Sequence, residues 1–279
     1  MSSSIPPRII QTGRHAHPPL AHRASIASVT LTNPGFEHVY FDNPRVLAFV
    51  RDEFPEYLSV FETFPYPIQR YDFFRYLAVY RLGGFYFDLD VFLAGGLDEL
   101  RGLGCVFPFE GLTFSPLLRH RYNMDWQLGN YAFGGSAGHP FLKAVIDNCV
   151  RAQREPQWAE PMMKGMPPLS RDQFTVLNTT GPGLLSRTYA ENPTLAAMTT
   201  VLFPEDVCDV ATWNRFGDFG IHLMDGSWRG GAGGFLRRRL AQRWEDWQMR
   251  RLIRESAKLG KSRSAALRAV ESLGEAPIK

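Results

Sequence analysis

The sequence predicts an α/β fold, a sheet with helices on both faces. Short β-branched and aromatic runs alternate with segments of helical period, and prolines and glycines mark most junctions between them. The 279 residues are enough to bury one sizeable core. A composition of 44% hydrophobic, 13% aromatic and 21% charged residues is globular and excludes a disordered chain.

The first element is IPPRIIQTG, a proline-rich lead into a strand over Arg8 to Gln11 that ends at a glycine. Asn43-Pro44 opens a helical pattern to about Glu53, with proline at the first turn, where its missing N–H costs nothing. Val60 to Phe64, VFETF, is expected as a strand. Ile68 to Leu82 fits a helix, Gly83-Gly84 ends it, and Phe85 to Phe87 forms a short strand. CVFPF and NYAFGG are expected strands, and His139-Pro140 starts a helix to about Arg154. Glu155 to Phe174, rich in proline and methionine, is expected as a long surface loop. TGPGLLSRTYAEN is a turn and helix, and TTVLFP is a strand. Beyond Gly226 to Gly234 the chain turns helical and arginine-rich, so we divide it into a body, 1–234, and a basic helical extension, 235–279. The extension carries 12 Lys/Arg against 5 Asp/Glu, a net +7, which leaves −4 for the body of a chain of net charge +3.

Cys105, Cys149 and Cys208 are too few and scattered for a disulfide framework or a cysteine zinc site, so free thiols are expected. No apolar run reaches the roughly 18–20 residues of a membrane span. MSSSIPPRII lacks a signal peptide's apolar core. The expected location is cytoplasmic, with peripheral attachment to the inner face of a membrane left open. His15, His17 and His22 lack an evident fourth ligand for zinc.

The chemistry concentrates in YDFFRYLAVYRLGGFYFDLDVFL, Tyr71 to Leu93. Side chains two apart on a strand point the same way, so Asp88 and Asp90 are expected to face one site while Leu89 packs behind. Two hard oxygen ligands there suit Mg²⁺ or Mn²⁺, above all when a diphosphate completes the shell. Asp72 and Arg75, three apart on the preceding helix, share a face and can reach the same strand end. Asp-x-Asp alone is weak evidence, and an i,i+3 ion pair is ordinary on a surface; the two together make a compact unit.

That unit, D-x-x-R-x-x-x-L-x-x-x-G-G-x-Y-x-D-x-D with Val79 in place of leucine, resembles the signature of glycosyltransferase family 32. The family includes yeast initiating mannosyltransferases and bacterial capsular and lipid glycosyltransferases. It is also similar to the glucosyltransferase domains of large clostridial toxins. IPPRIIQTG, GHPFLKAVID (Gly138 to Asp147) and HLMDGSW (His222 to Trp228) resemble further family blocks in the same order. The first block lacks the usual histidine and tryptophan and slips by one residue.

The resemblance implies a GT-A fold, a Rossmann-like mixed sheet flanked by helices, and a nucleoside-diphosphate sugar donor. It also implies a divalent cofactor, Mn²⁺ or Mg²⁺, and retention of anomeric configuration. Carried over by position, Asp72 and Arg75 contact ribose and sugar hydroxyls, with Tyr86, Gln11 and Thr12 also on the donor. Asp90 binds the metal; Asp88 binds ribose or the metal through water; His222 is a third metal ligand. Ser227 and Trp228 close over the diphosphate, and Asn130 lies either near the transferred sugar or in a structural turn. TGPG, Thr180 to Gly183, either presents N–H groups to a phosphate or simply enters a helix. The acceptor is a glycan, a glycolipid or a protein.

Two rival readings stand beside this one. A haloacid-dehalogenase-type phosphatase also uses Asp-x-Asp, but near the N-terminus and followed two residues on by threonine, where this chain has Phe92. The other rival is a non-catalytic sugar-binding scaffold. In the extension, Leu240, Trp244, Trp247 and Leu252 share one side and arginines flank it, which suits either an anionic membrane surface or packing on the body. No nucleic-acid-binding module is evident, so nucleic acid is not an expected partner.

Overall fold

Strand β1 (Arg8–Thr12) leads through helix α1 (Arg23–Thr32) to β2 (Glu37–Phe41) and helices α2 (Asn43–Glu53), α3 (Leu58–Thr63) and α4 (Pro67–Leu82). Then come β3 (Gly84–Phe87), β4 (Val91–Leu93), β5 (Cys105–Leu112), β6 (Trp126–Leu128), β7 (Ala132–Gly135) and α5 (Pro140–Arg154). Short α6 (Pro156–Ala159), α7 (Arg171–Thr179), α8 (Pro182–Glu191) and α9 (Pro193–Ala196) precede β8 (Thr200–Leu202), β9 (Arg215–Phe216) and β10 (Gly220–His222). Helix α10 (Phe235–Lys258) ends this computed structural model, which describes residues 4–164, 170–224 and 235–258.

The main sheet has seven strands in the order β2-β1-β3-β7-β5-β6, with β8 also paired to β5. It is mixed: β1 runs parallel to β2 and β3, β7 is antiparallel to β3 and β5, and β8 is parallel to β5. A mixed sheet flanked by helices is the expected architecture. Alternate side chains divide the core between its two faces. Ile10, Tyr86, Phe107 and Phe133 pack with α4 and α5 on one face, and Ile9, Phe85 and Phe87 pack with Val29, Val91 and Leu93 on the other. A second sheet, β4-β10-β9, is antiparallel and lies over this second face.

Helix α4 is the structural lever of the site. Gln69 Oε1 accepts from the Tyr66 N–H at 3.0 Å and Pro67 occupies the first turn, so the N-terminus is capped by sequence-local means. Gly83 closes the other end, and Gly84, at φ +120°, lets the backbone turn at once into β3. A Cβ on Gly84 would sit 2.6 Å from the Arg8 carbonyl oxygen, so the close approach of β1 and β3 also requires glycine here.

Two expectations are corrected. Val60–Thr63 of VFETF are in helix α3 and Phe64 caps it: Val60, Phe61 and Phe64 are buried against α4 and its neighbours, and this packing overrides their strand propensity. The expected loop from 155 to 174 instead contains α6, a 3₁₀ turn over Glu160–Met163 and the start of α7, while 165–169 lie outside the described residues. Of the extension, 235–258 are described, and they are helical. Its Leu252, 4% exposed, packs with Phe109, Leu112, Val207 and Trp213, and Arg119 pairs with Glu255 at 3.3 Å. Among the described residues, no helix is long and apolar enough to cross a membrane.

Candidate active site

Arg75 projects from α4 into the space at the end of β3. Its Nη2 lies 3.1 Å from Asp72 Oδ1, its Nη1 lies 3.2 Å from Asp88 Oδ2, and Nη1 also donates to the Asn130 carbonyl at 2.7 Å. The guanidinium sits over the Tyr86 ring, 4.8 Å from its centroid. Burial alone would lower the pKa of Arg75, but Asp88, Tyr86 and Asp72 around it hold it above the usual arginine range. The pair is therefore no surface i,i+3 ornament. One buried cation clamps two carboxylates from different elements.

Asp72 is itself 5% exposed, and both its oxygens are bonded. Oδ1 accepts from Asn130 Nδ2 at 3.1 Å in addition to Arg75, and Oδ2 accepts from Thr180 Oγ1 at 3.0 Å. Burial raises its pKa, against the pull of Arg75, Thr180 and Asn130. Asn130 Nδ2 also donates to Tyr76 Oη at 3.1 Å, and Tyr76 donates onward to the Thr180 carbonyl at 3.0 Å.

Asp88 and Asp90 converge by a different geometry from the one strand alternation predicts. Strand β3 ends at Phe87, and residues 88–90 form a tight turn between two sheets, closed by Val91 N–H to the Asp88 carbonyl at 3.1 Å. Asp88 is fixed by its own N–H to the Tyr131 carbonyl at 2.8 Å and by Tyr86 Oη, which donates to Oδ1 at 2.8 Å. Thr12 Oγ1 lies 2.9 Å from the same Tyr86 oxygen and so supports Asp88 at one remove.

His222 arrives from β10, whose register places it opposite Val91, next to Asp90. Its Nε2 is 3.3 Å from Asp90 Oδ2, and its ring stacks on Tyr131 with centroids 4.3 Å apart. Burial disfavours the charged imidazole, yet Asp90 first, then Glu110 and Asp88, outweigh it and raise the His222 pKa. One ligand atom each from Asp88, Asp90 and His222 lies within 4.8 Å of the others. Two carboxylate oxygens and an imidazole nitrogen so arranged fit a single Mn²⁺ or Mg²⁺, the nitrogen suiting Mn²⁺ better.

The structure thus brings Asp72, Arg75, Tyr86, Asp88, Asp90, Asn130 and His222 into one site, with Thr12 behind them. Gln11 is on the opposite face of β1 from Thr12, fully buried, with Oε1 2.9 Å from His38 Nε2. Ser227 and Trp228 lie outside the described residues. Tyr76 joins the site without having been expected there, and Thr180, expected at most to offer a backbone N–H, joins it through its side chain. Tyr76 stands four residues after Asp72 and so on the same helical face, a signal the sequence does contain.

Part of the chain is similar to known proteins. Residues 19–104 match the glycosyltransferase sugar-binding region containing the DXD motif. The chain is 30% identical over 154 residues to inositol phosphoceramide mannosyltransferase 3 of Schizosaccharomyces pombe, covering 54% of this chain and 38% of that protein. It is 27% identical over 154 residues to the mannosyl phosphorylinositol ceramide synthase SUR1 of Saccharomyces cerevisiae, covering 55% of this chain and 34% of that protein. The chain therefore spans well under half the length of these relatives. Among solved structures, the PaToxG glycosyltransferase aligns with a TM-score of 0.42 at 15% identity, over 68% of this chain and 70% of that one. Asp88-Leu89-Asp90 lies inside the matched segment, so residues 19–104 are similar to the DXD-containing sugar-binding region of glycosyltransferases.

Proposed function

We propose that this chain transfers a hexose from a UDP- or GDP-linked donor to an acceptor hydroxyl, with retention of anomeric configuration and dependence on a divalent metal. The observation that carries the reading is the convergence of Asp88, Asp90 and His222 within 4.8 Å of one another, beside the buried Asp72–Arg75 pair. Asp90, His222 and Asp88 hold the ion, Mn²⁺ or Mg²⁺, which when bound neutralises charge on the departing diphosphate. Arg75 supplies a fixed second positive charge beside it, in a site where reorganisation is small. Asp72 and Asn130 orient the hydroxyls of the transferred sugar. In the retaining reaction the leaving phosphate accepts the acceptor's proton. The two relatives are named for mannose transfer, so a mannose-bearing nucleotide is the first donor to test.

The surface favours a glycolipid among the possible acceptors. Phe92 and Ile221 stand opposite each other on β4 and β10 and, with Leu223 and Met224, are exposed apolar side chains. Leu223 N–H donates to the Asp90 carbonyl at 2.9 Å, so this apolar strip begins at the metal site. Helix α10 supports a second contact, with the anionic inner face of a membrane. While Leu252 faces the body, Trp247 is 54% exposed, and Arg243, Arg250, Arg251 and Arg254 are exposed with it.

Purified protein incubated with a panel of nucleotide sugars should hydrolyse one of them only with Mn²⁺ or Mg²⁺ present, and Asp90→Ala should abolish this. A wild-type protein that binds and hydrolyses none, indistinguishable from Asp90→Ala, refutes the enzyme. For the membrane contact, Trp247→Ala combined with Arg250→Glu should end sedimentation with anionic liposomes; unchanged sedimentation refutes that part.

A further inference from the structure

A closed ring of buried hydrogen bonds stands behind the Asp72 carboxylate. Thr180 Oγ1 donates to Asp72 Oδ2, Tyr76 Oη donates to the Thr180 carbonyl, and Asn130 Nδ2 reaches both Tyr76 Oη and Asp72 Oδ1. Thr180 and Tyr76 are fully buried, and Asn130 and Asp72 nearly so. The ring ties three elements that are distant in sequence: helix α4, the turn before β7, and the turn joining α7 to α8.

The orientation of Asp72 needs such a device. A carboxylate can rotate about its Cβ–Cγ bond, and Arg75 and Asn130 both bind the same oxygen, Oδ1. Only Thr180 among the described residues holds Oδ2, so it fixes the plane of the group. Thr180 in turn is held from its carbonyl by Tyr76. Neither side chain has a metal-ligating role, and neither hydroxyl contacts Asp88 or Asp90 in the hydrogen-bond network. Arg75 stands between Asp72 and Asp88, which puts Asp72 on the side of the site away from the metal ligands.

We propose that Thr180, backed by Tyr76, is a positioning residue that sets the Asp72 carboxylate for the hydroxyls of the transferred sugar, and so governs recognition of the sugar apart from the diphosphate. The inference rests on the donor reading given above. It gives the TGPG segment a use other than a phosphate nest, because here the threonine side chain, not the backbone N–H, makes the contact. Threonine suits the place because its branched Cβ restricts χ1 and its hydroxyl can both hold Asp72 and remain desolvated.

The test separates sugar from diphosphate. With Mn²⁺ present, affinities for a nucleotide sugar and for its sugar-free nucleoside diphosphate are measured on wild type, Thr180→Val and Thr180→Ser. Thr180→Val removes the hydroxyl at nearly constant volume and should weaken nucleotide-sugar binding about tenfold, the effect of one lost buried hydrogen bond. Diphosphate affinity should stay within about twofold, and Thr180→Ser should restore most of the sugar affinity. Tyr76→Phe, which keeps the ring packing, should show the same split more weakly, and it decides the matter if Thr180→Val does not fold. Equal losses for both ligands, or no loss for either, overturn the positioning role while the donor reading stands. A wild type that binds diphosphate but no tested sugar more tightly overturns the donor reading, and this inference with it.

Discussion

Arg75→Met tests the electrostatic core of the site. Methionine fills most of the arginine's volume, so the perturbation is the loss of charge and of three polar contacts, to Asp72, Asp88 and Asn130. Asp72 and Asp88 would then be left facing each other with no guanidinium between them. Removing one partner of a buried ion pair costs about 3–5 kcal/mol, because the remaining charge stays desolvated. That is a large fraction of the stability of a typical domain. The pH dependence has a definite sign. Burial already raises the pKa of both carboxylates and Arg75 pulls it down, so without Arg75 both rise further. A carboxylate whose folded pKa exceeds its unfolded one weakens folding as pH rises through the folded value, and the penalty disappears as pH falls. Urea unfolding of the variant should therefore show a deficit of about 3–5 kcal/mol at pH 7.5 that shrinks at pH 5. Arg75→Lys should be intermediate, since an ammonium keeps the charge but not the fork. A loss under about 1 kcal/mol at pH 7.5, or one independent of pH, refutes the reasoning.

Four further outcomes are expected. His222→Ala should weaken Mn²⁺ binding at least about tenfold by calorimetry. In the wild type, an NMR titration should find His222 titrating above the usual imidazole value, and Asp90→Asn should lower it; stability from this contact in metal-free protein is full below the unfolded pKa and lost as pH rises through the folded one. Leu252→Ala should cost about 2 kcal/mol in thermal unfolding with Mn²⁺ affinity unchanged, because Leu252 packs α10 against Phe109 and Trp213 and is not itself a partner of Asp88, Asp90 or His222. Gly84→Ala should destabilise by more than about 1 kcal/mol and also weaken Mn²⁺ binding, since the φ of +120° and the contact with Arg8 set the direction of β3.

What the sequence made legible was whatever is encoded locally. Helix α4 has a capped start, a glycine stop and helical spacing, so spacing alone puts Asp72 and Arg75 on one face. Asp88 and Asp90 are rightly paired by the sequence, but for a reason that does not hold: a three-residue turn, not strand alternation, brings them together. Strands β4, β9 and β10 have two or three residues each, too few for any period to show, so nothing local announces that His222 sits opposite Val91. VFETF shows the converse failure, in which residues of high strand propensity are held as a helix by burial. Thr180 is visible as part of a turn before a helix, but its 108-residue leap to Asp72 is a tertiary fact.

The charges explain why the site divides as it does. Asp72 and Arg75 have side chains only 5–7% exposed, and the protein neutralises them itself. Asp90 and His222 are 16% exposed and Asp88 is 27% exposed, so that end of the cluster opens to solvent. Across the whole cluster three carboxylates, Asp72, Asp88 and Asp90, face one permanent cation, Arg75, and one conditional cation, His222. Above the His222 pKa the conditional charge is gone, and the guanidinium pairs with Asp88 on one side of the open end. The repulsion between Asp88 and Asp90 is then greatest where solvent has access, which is where a divalent ion can enter. The buried half of the cluster is thus a permanent scaffold and the open half an incomplete shell. Substitutions in the first should act on folding and sugar orientation, and substitutions in the second on metal affinity, with Asp88 as the one residue that belongs to both.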